Sequence, residues 1–405
     1  MRLAKTVMLL FFALTLATQA QVRITGTGKA GNPTVLFRGI KGSNKMLEKK
    51  IFNVLRVCGW VDLVQHGKSD MVISGEEMGS RSILLHVANS AGVRMYSVKA
   101  AADQNDQLAY AAVDAFLTKE FGVAGLCRTK IVFSAQTGRN QREIYLCDFD
   151  GSNIRKLTSN ATLSIEPSWH PDGNSIIYNQ FLLSSTPLVQ FFPGRNQCRA
   201  LSRHPGINSG RISPDGKKLA LILTARTKDK RTQLDLFVRD FQGGPLTRLT
   251  NDRAVEASPA WSPDSSSICY VSNKSGRPAL YIISIYGGAP RRVPGTLGSE
   301  SVSPAWSKDH KLAYSAKLGD YQLKVIDLSQ AMNYPARKNT ADSILADYSA
   351  PAVAGESPSW APDNRHVVVS SRGSIVIVDT RTNKTRTLIS GKSKCSGANW
   401  SPILD

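Results

Sequence analysis

Four glutamates, Glu166, Glu256, Glu300 and Glu356, each stand three to six residues ahead of a tryptophan. Carboxylates gathered at one place from successive repeats can dock basic groups of a partner, or hold a cation. A glutamate tolerated beside proline in a loop needs neither role, and both readings stand on the sequence. The other chemistry-bearing residues point away from catalysis. The six histidines, at 66, 86, 170, 204, 310 and 366, are scattered, and three of them fall in or beside turns. No G-x-S-x-G occurs, so there is no nucleophile elbow for a hydrolase. GTGKAG at 26–31 matches G-x-G-x-x-G, yet Asn32-Pro33 and the strand-like TVLFRG follow it. A dinucleotide fingerprint instead opens a helix whose N-terminus faces the pyrophosphate. The six cysteines show no CxxC and no metal-ligand spacing. Cys147 and Cys269 sit inside strand patterns, where a free thiol acts as a small hydrophobe, so mostly unpaired thiols and one disulfide at most are expected. No catalytic, cofactor or metal residues are assigned.

The chain has 405 residues, a net charge of +20 and 20% charged residues. That composition suits a globular protein of more than one core. Residues 1–20, MRLAKTVMLLFFALTLATQA, follow the order of a cleavable signal peptide: basic start, apolar run, small residues. The apolar run is about ten residues, roughly half of what a bilayer requires. An exported protein is the expectation, with membrane association only through partners. The basic balance favours acidic partners, but Lys and Arg are dispersed, KDKR at 228–231 being the densest run. A solvated basic surface accounts for that pattern, and no nucleic-acid partner is expected.

Two regions with different periods must position these residues. Residues 21–126 mix strands such as TVLFRG and ILLHVAN with two amphipathic stretches, 44–59 and 107–122. The first places Met46, Ile51, Leu55 and Val57 near one apolar face, and the second stops at Gly122. This predicts a small α/β domain.

From 127 to 405 helical periodicity gives way to short strands and an internal repeat. Trp169-His170-Pro171-Asp172 is followed by Ile212-Ser213-Pro214-Asp215, Trp261-Ser262-Pro263-Asp264, Trp306-Ser307-Lys308-Asp309, Trp360-Ala361-Pro362-Asp363 and Trp400-Ser401-Pro402. They lie about 40–55 residues apart, the length of a four-stranded propeller blade. In each copy a strand ends at the Trp, and proline with aspartate makes the turn into the next strand. One Trp per blade at one depth reads as core between blades: Trp169, Trp261, Trp306, Trp360 and Trp400. The sixth copy has only its first strand, while KIVFSA, EIYLCDF and NIRKLT (130–158) supply a second, third and fourth. The expected fold is therefore α+β and multidomain: an α/β domain, then a six-bladed β-propeller closed by pairing the C-terminal strand near residue 130. Such closure removes open sheet edges.

An α/β region behind a leader, repeats of (S/E)P-x-W-S-P-D and a terminal W-S-P resemble the TolB family of the Gram-negative Tol-Pal envelope system. SPAWSPDSSSICYVSNKSGRPALYIISIYGGAPRRV (258–293) carries the most specific likeness. An irregular stretch at 180–200, the missing Trp of the second copy and an insertion near 329–350 depart from the pattern. The resemblance implies a non-enzymatic, monomeric periplasmic protein serving outer-membrane integrity, protein transport and cell division. It implies that the propeller binds the peptidoglycan-associated lipoprotein Pal through loops leading into the innermost strands. By position these hold His204, Asn208 and Ser209, then Glu256 and Ala257, with Glu166, Glu300 and Glu356 around the same mouth. It further implies that the mature N-terminus, Gln21, Val22, Arg23, Ile24, Thr25 and Gly26, docks on the inner-membrane protein TolA. A channel that holds a small ligand or glycan is the alternative; a peptidase is not expected, since no hydrolase module accompanies the propeller.

Overall fold

The computed structural model describes residues 31–404 apart from 43–44, 80, 203, 205, 227–230, 332–352 and 392–393. The predicted leader, the segment Gln21–Gly26, nearly all of GTGKAG and most of the 329–350 insertion lie outside the described residues.

The first region is β1 (Thr34–Lys41), α1 (Lys45–Cys58), β2 (Asp62–Val64), β3 (Met71–Glu77), β4 (Ser82–Asn89), β5 (Arg94–Ala101) and α2 (Asn105–Phe121). The sheet order is β2-β1-β3-β4-β5, with β1 parallel to both its neighbours. Alternate residues of β4, Ile83, Leu85 and Val87, are wholly buried, as a strand covered on one face requires. Helix α1 buries Leu47, Ile51, Val54, Leu55, Val57 and Cys58, but Met46 is 78% exposed. Val57, about 20° from Met46 around the helix, is buried, so Met46 is left uncovered by its place in the first turn and not by its arc. Helix α2 ends at Gly122, whose φ of 71° permits its N–H to reach back to Thr118.

Beyond residue 129 the chain forms sheets of short antiparallel strands. Four-stranded sheets begin at Ile207–Ile212, Glu256–Trp261 and Glu356–Trp360, and a three-stranded sheet begins at Ser301–Trp306. An eight-stranded sheet joins two antiparallel groups through a single parallel pair, Arg142 with Leu163. In one group, C-terminal Ser396–Trp400 pairs with Lys130–Gly138, setting Trp400 opposite Ile131 and Asn399 opposite Val132. The other contains Leu163–Trp169, and the irregular 180–200 stretch supplies its outer strands, Leu188–Phe192 and Gln197–Ser202.

Neighbouring sheets meet through the strands that end in the repeat. Leu163–Trp169 lies beside Ser396–Trp400, which lies beside Glu356–Trp360, which lies beside Ser301–Trp306. Ser301–Trp306 lies beside Glu256–Trp261, itself beside Ile207–Ile212, which packs on Ile176–Phe181. The tryptophans stitch these neighbours: Trp261 donates its indole N–H to the Arg211 carbonyl, and Trp360 to that of Ala305, each at 2.9 Å. Trp169, Trp261 and Trp400 are buried, Trp306 and Trp360 half-buried. In the turns, Ser262 and Ser213 donate to Asp264 and Asp215, and each aspartate accepts a backbone N–H two residues on. The repeated Ser-Pro-Asp is thus a self-capped turn.

The fifth tetrad differs. Ala361 replaces the serine, and Asp363 accepts from the His366 ring at 2.6 Å and from the Trp60 indole at 3.1 Å. Arg365 donates twice to Asp379, caps Asn32 and Gly59, and lies 4.3 Å over the Trp60 ring. Burial opposes ionisation of Asp363, yet the His366 contact outweighs it and holds the carboxyl at about 2. The same balance, with Arg365 first among the stabilising partners, depresses Asp379. An ionic seam therefore joins the α/β region to the last full sheet. Removing one member strands the others: Asp379→Ala should cost about 3–5 kcal/mol in urea unfolding, and a loss below about 1 kcal/mol would show the seam to be dispensable.

Candidate partner-binding face

The loops entering the innermost strands share one backbone device. Glu166, Ser258, Ser303, Ser357 and Gly397 all take a left-handed φ of 48–62°, each at a break in strand register. For a side-chain-bearing residue that conformation costs on the order of 1 kcal/mol. Four of the five precede proline, which bars them from the right-handed helical region. The bulge turns each strand toward its neighbour.

Relative to that bulge the four glutamates occupy different positions, and their environments differ. Glu166 is the bulged residue itself, 3.7 Å from the Arg211 guanidinium. Glu300 accepts from the Tyr321 hydroxyl at 2.6 Å and from Lys317 at 3.2 Å, and these bonds, Tyr321 foremost, lower its pKa. Glu356 opens its strand, is exposed, and also acts on Tyr321. Tyr321 is thus bonded to Glu300 and feels the charge of Glu356 as well.

Glu256 is wholly buried, and neither carboxylate oxygen has a hydrogen-bond partner. Burial raises its pKa to about 8; Ser272 and Lys274 offset this only in part, while Asp252 and Asp235 add to it. The Tyr270 hydroxyl beside it is likewise buried and unpartnered, its pKa raised by burial and then by Glu256. At neutral pH, Glu256 is a neutral acid inside the fold, and the rim of four exposed charges expected from sequence reduces to three.

The remaining candidates lie where the strands enter. His204 is half-buried and accepts from the Gly206 N–H at 3.3 Å, Asn208 is exposed, and Ser209 is buried with an unpartnered hydroxyl. The Asn208 carbonyl takes a bond from Asn179 at 3.0 Å, tying this entry to the preceding sheet. Ala257 is half-buried next to Glu256. Sequence reasoning missed Tyr321, Lys317 and Arg211, which sit in no repeated pattern and meet their partners only in the fold.

The opposite ends of the innermost strands frame a cavity of 650 Å3 lined by Trp261, Trp306, Trp360 and Trp400 with Asp264 and Lys308. Tryptophans expected only as core thus also face an open space. All six cysteines are free thiols, five buried and Cys198 exposed. Among the described residues no helix is long and apolar enough to cross a membrane, and no three His, Cys, Asp or Glu group as metal ligands.

Glu256 gives a pH test. Between an ordinary glutamate value of 4.5 and about 8 the folded state holds a proton that the unfolded chain releases. Stability contributed by this site therefore falls as pH rises through that window. Glu256→Gln should match wild type near pH 4.5 and exceed it by roughly 1–3 kcal/mol above pH 8; parallel melting curves across the window would refute this by showing no divergence.

The sequence model for the TolB beta propeller domain matches residues 117–404. The Tol-Pal system protein TolB of Anaeromyxobacter dehalogenans is 30% identical over 137 residues, covering 34% of this chain and 30% of that protein. The alignment thus spans under a third of the relative's own length. The crystal structure of TolB from Acinetobacter baumannii superposes with a TM-score of 0.76 at 17% identity, covering 92% of this chain and 97% of that one. A nidogen/laminin complex chain gives 0.53 at 10% identity, covering 68% of this chain and all of its own. Both show a shared fold alone. A family match across the whole repeat region is a stronger finding, and by it the chain belongs to the TolB beta-propeller family.

Proposed function

We propose that this is a non-enzymatic periplasmic binding protein of a Tol-Pal system, acting as a monomer behind a cleaved leader of residues 1–20. In this reading an α/β domain of 21–126 precedes a propeller of 127–405 that closes as a ring of six blades. The circular order of innermost strands, from Leu163–Trp169 through Ser396–Trp400 and back by way of Ile207–Ile212, supports the closure. Removing residues 396–405 is then expected to abolish cooperative unfolding of the whole propeller in circular dichroism melts. A truncated protein that melts like the full chain would contradict the ring.

The propeller mouth binds Pal, and Gln21–Gly26 docks on TolA. The observation that carries the first half is the family match over 117–404, joined to the strand-entry face where Glu300 and Glu356 flank Tyr321. Exposed carboxylates of this kind steer basic groups, so their loss acts mainly on association rate and salt dependence. Pal binding should weaken about three- to tenfold in Glu300→Gln/Glu356→Gln, with a flatter salt dependence. Deleting 21–26 should abolish TolA binding and spare Pal. Unchanged Pal affinity and salt response in the double variant, or loss of both partners on deletion, would refute the division of labour.

The tryptophan-lined cavity favours a second reading, a small ligand or glycan bound at the turn end of the channel. Aromatic faces with a few polar groups are the common lining of such sites. A muropeptide and sugar screen read by tryptophan fluorescence separates it from the first reading.

A further inference from the structure

The 273–278 hairpin and the 294–300 loop enclose a pocket of 260 Å3 that none of these roles uses. Arg277 and Arg292 line it with Ser275, Thr296, Ser299 and Ser301, and no carboxylate does. Neither guanidinium is ion-paired among the described residues. Two unneutralised arginines converging on one concavity are unusual beside a glutamate; here the nearby Glu300 is already committed to Lys317 and Tyr321.

The walls are fixed from several directions. Gly276 N–H closes the hairpin on the Asn273 carbonyl at 2.8 Å, and the Asn273 side chain holds the Val255 N–H at 2.8 Å. The Pro278 carbonyl accepts from Ser301 N–H at 2.9 Å, joining the hairpin to the next sheet. Arg292 stands on Arg291–Arg292, opposite Tyr281, with buried Val293 anchoring the strand to Leu280. The loop is held by Leu297 N–H on the Tyr314 hydroxyl and Ser299 N–H on the Lys317 carbonyl. Gly298, at φ 87°, passes so close that a Cβ would lie 2.8 Å from the Lys317 carbonyl oxygen. Wall backbone groups are thus spent on holding the walls, while the guanidiniums and the Ser275 and Thr296 hydroxyls remain for a ligand. Lys274, 4.5 Å over the Tyr281 ring, and exposed Arg291 add positive potential beside them.

We propose that this pocket binds a phosphate group, clamped between Arg277 and Arg292 with hydroxyl donors completing its shell. Forked guanidiniums bind phosphate oxygens bidentately, and two such forks on one pocket favour a dianion over a halide. Neither the Pal reading nor the TolA reading is required for it.

The test is calorimetric titration of the full mature chain with inorganic phosphate and with glucose 1-phosphate at fixed chloride. Saturable one-site binding is expected, about tenfold or more weaker in Arg277→Ala and in Arg292→Ala, partly restored by Arg277→Lys, and unchanged in Arg155→Ala on another exposed strand. Vesicles containing phosphatidic acid form the second arm: binding to them alone, lost in the same two variants, assigns the phosphate to a headgroup. Absence of saturable binding in both arms overturns the proposal. So does equal binding by wild type and the two arginine variants, or equal weakening by Arg155→Ala, which marks non-specific charge.

Discussion

The pairing of Ser396–Trp400 with Lys130–Gly138 is the contact on which the rest depends, because it joins residues 271 positions apart. Loop-closure entropy grows slowly with length, so the separation itself is affordable, but it must be overcome before the pairing contributes anything. The chain answers with several bonds at one place. Lys130 and Ser401 exchange two hydrogen bonds, and Trp400 donates to Thr129 at 2.7 Å. Arg142 reaches the Lys394 carbonyl and the Ser396 hydroxyl, each at 2.6 Å. Asn399 then accepts from Trp169 N–H on one side and donates to Ser359 on the other. The last strand is held by three neighbouring strands at once, so its few residues carry far more contact than their number suggests.

The left-handed bulge explains why the repeat has the residues it has. Serine and glycine tolerate or relieve that backbone, proline fixes the chain beyond it, and the strand then bends to end in the tryptophan. Glu166 occupies the bulge and projects beside Arg211, whereas Glu256 lies ahead of its bulge and turns inward. A shift of one or two positions against the bulge decides between solvent and core, as strand alternation requires. Counting residues back from the tryptophan does not reveal that shift, since the spacing varies from three to six.

This marks the boundary of what could be read from the residues alone. The partner strand of ANWSPILD followed from counting strands along the repeat, while local signals were sufficient for the turns, the strand order within the repeats and α2 with its Gly122 stop. Each rests on proline, glycine or alternation within about ten residues. Pairs such as Trp60 with Asp363, 303 positions apart, have no local trace. One clue existed: Ala361 stands where four other copies carry serine or histidine capable of bonding the turn aspartate, which releases Asp363 for other partners. Met46 failed for a different reason, since an apolar stripe read around a helix ignores how far along the helix the cover extends.

The same hairpin links the two ends of the molecule. Glu356 begins Glu356–Trp360 at the strand-entry face; Ser359 and Trp360 bond the neighbouring strands on either side. Past the turn, Asp363 and Arg365 grip Trp60, Gly59 and Asn32. Packed and bonded groups thus run without a break from the strand-entry face to Asn32. A route is not yet a coupling energy; that requires two arrangements of one element which both sites bias. The buried ion pair stiffens this hairpin, because an Arg365 half-withdrawn from Asp379 would be desolvated and unpaired. Small displacements are therefore costly, and the seam resists them.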